Sequence, residues 1–441
     1  MKKARWRKGL VIGVGLIFIG IEIIPISGEI VNEDKTLNLG RRIDPYGEII
    51  FDQIIIHLME KGHFPSLSAC IVVNKEVAWA KGYGLYDMEN SKQATENTIY
   101  MVASISKTIT GTALMQLYDE GLIDLDEDVN KYLPFSLRNL NYPDDPITFR
   151  MLLSHTSSLA GDSTFSSYWW GNFSGEAPIP WYPYPWLGEY LIPGGKYYSP
   201  SIWSKSRPGE QLIYANINFD LIAYLVELIS NQSFHEYCYE HIFMPLDMKD
   251  TSFRLSDLDI GNVAVPYHYL ESGRYRRYEH PRILHYPVAG LRTSISDLSH
   301  FLIAHVNDGV YNGVRILTEE SIKEMHKIQA FGNNSFNYGL AWTIWKYHDR
   351  EVFSGHWGDY TPGFSARMMI RLRDDTAIIL FVNGDRMLNN WEDGNTALSG
   401  IQNILFLKAA LFKIFGMKSI ISSSVCAYIT LLLYLMLFSY T

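Results

Sequence analysis

Two β-hairpin patterns stand at opposite ends of the chain, and no other feature constrains the fold as tightly. Early on, the apolar, β-rich runs Leu67–Val73 and Val77–Gly82 meet at Asn74-Lys75. Far downstream, Ala366–Leu372 and Thr376–Val382 flank an Asp374-Asp375 turn. Helical patterns lie between them: Lys107–Glu120 closed by Gly121, Asn218–Ile229, and a run opened by Ser294-x-x-Asp297 that ends near Gly309. Strands at both ends with helices between predict one α+β domain, its sheet assembled from distant segments.

Composition narrows the function classes. Of 441 residues, 47% are apolar and 19% charged, which suits a globular protein of one large or two modest domains. The net charge is −9 and basic blocks are missing, which argues against a nucleic-acid partner. The one basic knot, Arg274, Arg276, Arg277 and Arg282, is short and reads as a solvated loop. Cys70, Cys238 and Cys426 are too few and too scattered for a disulfide framework or a cysteine zinc site, although Cys70 and Cys238 are left free to pair. His235 and His241 are six apart rather than four, so no zinc helix is expected. No pattern asks for a cofactor.

The chain ends point to a membrane. Five positive charges within the first eight residues precede an uncharged apolar run, Gly9–Ile21, so residues 1–28 read as an export signal or an N-terminal anchor. Ser419–Tyr440 carries no charge and as a helix would reach about 33 Å, enough to span a hydrocarbon core. That makes 419–440 a candidate transmembrane helix touching lipid. The expected location is the membrane, with the folded domain outside the cytoplasm. Lys408, Lys413 and Lys418 just before it would then lie on the side that the positive-inside rule disfavours. In the middle, Phe165–Trp203 packs five tryptophans and six tyrosines among prolines at 178, 180, 183, 185, 193 and 200. Such a stretch predicts no regular helix or central strand, and reads as an ordered lid or an aromatic rim over a cleft.

Chemistry concentrates at Ala103-Ser104-Ile105-Ser106-Lys107, at the start of a helical run. Serine and lysine three apart share one helix face, close enough for an amine to approach a hydroxyl. A helix start adds unpaired N–H groups that favour a developing oxyanion. The S-x-x-K pattern alone is weak, since roughly one or two arise by chance in such a chain. It gains weight because Pro208-Gly209, Tyr214-Ala215-Asn216, Gly355-His356-Trp357-Gly358 and Pro362-Gly363-Phe364 follow in order. No G-x-S-x-G elbow competes with it.

With these motifs, and with Ala80-Lys81-Gly82-Tyr83-Gly84, Leu152 through Ser157 and Gly290 through Ser294, the chain resembles the serine β-lactamase and penicillin-binding-protein superfamily. It is most similar to the branch of class C β-lactamases, D-Ala-D-Ala carboxypeptidases and related esterases. The resemblance runs over about residues 45–385, and the hydrolase domain is placed at 45–400. It implies a β-lactamase/transpeptidase-like fold, an antiparallel sheet flanked by helices with a mainly helical subdomain. It also implies Ser104 as the acylated nucleophile, Lys107 as its base, Tyr214 as proton shuttle, and Asn216 holding the lysine and a substrate carbonyl. His356, Trp357, Gly358 and Asp359 would line the substrate, with the N–H groups of Ser104 and Asp359 as oxyanion hole.

Two departures bear on the substrate. Trp357 stands where the family commonly has a threonine that grips a carboxylate, and Asp359 brings a negative charge where a small residue is common. Peptides, amides or esters lacking that carboxylate gain ground over β-lactams and D-Ala-D-Ala peptides. The expectation is a membrane-attached serine hydrolase acting through an acyl-enzyme on peptide, amide or ester substrates, D-Ala-D-Ala carboxypeptidase-like or esterase-like in nearly equal measure, with β-lactam hydrolysis third. The alternative is a catalytically silent binding protein of the same fold.

Overall fold

The two hairpins belong to one sheet. In the computed structural model this main sheet has nine antiparallel strands: β1 (Ser66–Val73), β2 (Glu76–Asp87), β3 (Lys92–Gln93), β4 (Ala330–Phe331), β5 (Phe336–Tyr338), β6 (Thr343–Tyr347), β7 (Glu351–Tyr360), β8 (Phe364–Arg371) and β9 (Thr376–Val382). Their spatial order is β4-β5-β6-β7-β8-β9-β1-β2-β3. β1 pairs with β9 from Leu67↔Val382 to Val72↔Ala377, so segments from the two ends of the domain close its centre. The described residues are 45–161, 185–281, 283, 285–332, 336–347, 351–361, 363–384 and 391–415. Residues 1–28, the run 419–440 and positions 165–184 of the aromatic stretch lie outside them.

All eight residues of β1 are buried, because the sheet is covered on both faces. Alternation sends Leu67, Ala69, Ile71 and Val73 to one side. There they join a core with Ile55 and Leu58 of helix α1 (Pro45–Lys61) and Leu398, Ile401 and Leu405 of the C-terminal helix, Trp391–Phe415. Cys70 and Val72 face the other way, into a larger core. That core is built with α2 (Ser106–Asp119), α3 (Ile217–Ser230), α4 (Tyr286–Ala289) and α5 (Ile295–Val306). The C-terminal helix is now α6. The architecture is therefore the expected mixed one: helix layer, antiparallel sheet, helical subdomain.

Local chemistry explains the element edges. Ser294 accepts the Asp297 N–H at 3.1 Å, capping α5 where the sequence placed its start. Pro185–Leu191 forms a short helix inside the aromatic stretch, against the expectation of no helix there. Proline is tolerated at a first helical position, where its missing N–H has no intrahelical partner to lose. Leu187, Tyr190, Leu191, Ile202 and Trp203 are buried in the larger core. Cys70 and Cys238 are free, buried thiols and do not pair.

Candidate active site

The turn before α2 is held under strain. Ala103 adopts φ +44°, a left-handed conformation disfavoured for any residue with a Cβ. Its carbonyl accepts from the Ser106 hydroxyl at 2.6 Å, and that hydroxyl in turn accepts the Leu291 N–H at 3.1 Å. Val102 N–H donates to Leu291 O at 3.0 Å. These bonds lock Ser104 at the mouth of α2. One helical turn on, the Lys107 amine lies 2.8 Å from Ser104 Oγ and donates to the Val288 carbonyl at 3.1 Å. Lys107 is fully buried, and burial drives its pKa down to about 7 against the upward pull of Asp220. A large share of the amine is therefore neutral near pH 7 and able to accept a proton.

Tyr214 reaches the same oxygen from the loop before α3. Its hydroxyl is hydrogen-bonded to Ser104, and its ring centroid lies 5.1 Å from the Lys107 amine. The residue is 40% exposed along its ring while the hydroxyl end is enclosed. That enclosure pushes the phenol pKa well up, with the Asp359 charge adding to the effect. A segment without helix or strand is held in place by His155. His155 O accepts the Ile213 N–H at 2.8 Å, and its Nδ1 accepts the Ala215 N–H at 3.2 Å. Its ring lies 4.3 Å from that of Tyr214. The two bonds bracket Tyr214, and they were invisible in sequence because residues 155 and 213–215 meet only through the fold.

The remaining expected residues fall into three groups. Asn216 begins α3, and its Oδ1 is buried with no hydrogen-bond partner among the described residues. No hydrogen bond joins it to Lys107 among those residues; the lysine turns to Val288 O instead. His356 lies on β7 with both ring nitrogens engaged. Nδ1 donates to Trp357 O at 2.6 Å, so Nε2 accepts the Tyr338 hydroxyl at 3.0 Å. Burial, with Lys107 nearby, pushes its pKa down to about 3, so the ring is neutral. The Trp357 indole packs against Trp345 and Phe336, with ring centroids at 5.1 and 5.6 Å, and its centroid lies 6.3 Å from that of the His356 ring. With His356, Phe353, Arg367, Gln402 and Phe406 it lines a cavity of about 560 Å³ beside β7.

Gly358 borders the nucleophile. β6 pairs with β7 only as far as Thr343↔Gly355, leaving the next stretch of that edge uncovered by a strand. The nucleophile turn packs against this stretch: a Cβ on Gly358 would stand 2.0 Å from Val102 O and 3.0 Å from Ser104 N. Only glycine allows that approach. Asp359 acts electrostatically on Tyr214.

An antiparallel sheet layered with helices, carrying a serine, a buried lysine and a tyrosine at one point, is the arrangement of the β-lactamase/transpeptidase-like fold. The family model "Beta-lactamase" matches residues 51–399, and the chain belongs to that family. It is similar to Protein flp of Staphylococcus aureus strain MW2, 29% identical over 333 residues. That alignment covers 75% of this chain and 62% of the relative, so the chain spans less than two thirds of that protein. It is also 29% identical over 185 residues to the D-alanyl-D-alanine-carboxypeptidase/endopeptidase AmpH of Escherichia coli K12, covering 42% of this chain and 44% of AmpH. The octameric penicillin-binding protein homologue of Pyrococcus abyssi superposes with TM-score 0.67 at 23% identity, over 83% of this chain and 77% of that one. The D-amino acid amidase of Ochrobactrum anthropi SV3 gives 0.63 at 20% identity, over 82% and 99%. At these identities the two structures speak for the fold.

Proposed function

We propose that the chain is a serine hydrolase working through an acyl-enzyme on Ser104. The observation that carries this reading is a single hydroxyl met by both a buried amine and an enclosed phenol. Neutral Lys107 takes the Ser104 proton as Oγ attacks a carbonyl carbon. The oxyanion is received by the N–H groups of Ser104 and Asp359, a donor pair whose loss typically costs about 3–4 kcal/mol for one member. Tyr214 hands a proton to the leaving nitrogen or oxygen. Water then attacks the acyl carbon, gives a proton back through the same groups, and releases the acid with Ser104 restored.

The substrate is a peptide, amide or ester without a carboxylate beside the scissile bond, since Asp359 holds negative charge next to Tyr214. Asn216 Oδ1 is an available acceptor for a substrate N–H. Attachment to the membrane is proposed through residues 419–440, with the domain outside the cytoplasm. α6 is long and apolar enough to cross a bilayer by composition, but half of its most apolar stretch is buried in the fold, and its apolar face closes the second core.

A fluorophosphonate probe tests the reading. Labelling at Ser104 that disappears in Ser104→Ala, with an unchanged melting curve, is the expected result. An unlabelled but folded wild-type protein would instead favour a silent binding protein, and hydrolysis retained by pure Ser104→Ala would remove Ser104 from the chemistry. An ester panel set against D-Ala-D-Ala peptides and amino-acid amides then assigns the substrate class.

A further inference from the structure

Beneath Lys107 lies a buried acid that no part of the acyl-transfer scheme uses. Asp220 sits on α3 one turn beyond Asn216, fully enclosed, with one carboxylate oxygen on His285 Nδ1. Its other oxygen is buried without a hydrogen-bond partner among the described residues. An enclosed carboxylate is retained at a price in desolvation, so its neighbours should say what it does. His285 is the residue that opens α4. α4 is stitched to α2 by two bonds from α2 side chains: Thr110 Oγ1 to Pro287 O at 2.6 Å and Lys107 Nζ to Val288 O at 3.1 Å. Asp220 therefore ties α3 to the very segment whose carbonyl receives the lysine amine.

We propose that the Asp220–His285 pair is the positioning element of the lysine base: it holds α4 so that Val288 O fixes the amine beside Ser104. This rests on the reading of Lys107 as the base. The other titratable or charged groups around the amine are Tyr214 from the loop before α3, His155 from the 154–158 turn, His356 on β7, Tyr338 on β5 behind His356, and Asp359 beyond Tyr214. His155 and His356 are held neutral by burial, and both tyrosines are pushed up. Asp220 is the group among them that draws the amine's pKa upward. Without it, burial acts unopposed.

The two halves of the pair then share one signature. In Asp220→Asn, which keeps the shape of the side chain, the acid limb of Ser104 labelling rate against pH moves down by about one pH unit. In His285→Phe the enclosed carboxylate loses its hydrogen-bond partner, takes up a proton more readily, and the limb moves down as well. A merely structural pair would slow labelling in both variants with the limb unmoved, and that result overturns the proposal. Direct titration keeps the test independent of turnover. The ε-carbon resonance of Lys107 in ¹³C-lysine protein, assigned by its loss in Lys107→Met, should titrate near 7 in the wild type and lower in Asp220→Asn. Equal midpoints refute the role of Asp220 whether or not Ser104 is ever acylated. A Ser104 that never labels while the midpoints do separate sinks the hydrolase reading alone.

Discussion

Lys107 carries a large electrostatic consequence on folding. Its ordinary pKa of 10.5 falls to about 7 on folding. Between those values the unfolded chain binds the extra proton, so this residue makes stability rise with pH from about 7 to 10.5. The melting temperature of wild type should therefore rise relative to that of Lys107→Met as pH is raised from 7 to 9.5; a constant difference would mean that the amine is not desolvated. Substrate charge is read by a different residue. Asp359→Asn should raise hydrolysis of carboxylate-bearing esters relative to neutral ones by about three- to tenfold, the size of a partly screened charge contact. Trp357→Thr should leave that ratio unchanged and lower stability instead, because its indole packs on Trp345 and Phe336. A shifted ratio in Trp357→Thr would place the indole at the substrate after all.

Among elements, β7 matters most, for it is at once a sheet strand and the wall of the site. Gly358→Ala puts a methyl 2.0 Å from the Val102 carbonyl, and neither backbone can yield without moving Ser104. Labelling should fall at least tenfold while β7–β8 pairing survives, as read by amide exchange of Ala366 and Met368. Undiminished labelling would mean that strand and turn are less tightly apposed than described. The elements were largely legible in the sequence: both hairpins, α2, α3 and the Ser294 cap of α5 follow from periodicity and local caps. What could not be read was the packing of Trp357 on Trp345 and Phe336, which come from two other strands. The helix at Pro185 was missed because proline density was weighed without regard to its place at a helix start.

For the whole molecule, the lysines before the C-terminal apolar run take on a new meaning. Lys408 Nζ lies 3.8 Å from the ring centroid of Phe51 and 4.7 Å from that of Trp79. Lys413 binds the Asp374 carbonyl at 2.5 Å and its carboxylate at 3.1 Å. Both charges are engaged within the fold, which eases their conflict with the positive-inside rule. A chain ending at Phe415 should keep its Ser104 labelling and no longer float with phosphatidylcholine vesicles that carry the full chain. Continued flotation would move the anchor elsewhere.

Periodicity, turn residues and motif order were enough to predict an α+β domain and to single out Ser104 and Lys107, because these are local patterns, while Tyr214 was singled out only through the family resemblance. Only packing could decide that the lysine is stripped of water, that its second acceptor is Val288 O rather than Asn216, that His155 braces the tyrosine, and that Asp220 lies beneath them. Burial and through-space charge depend on which distant segments touch, and that is set by the closing of β1 on β9 and of α4 on α2, not by neighbours along the chain.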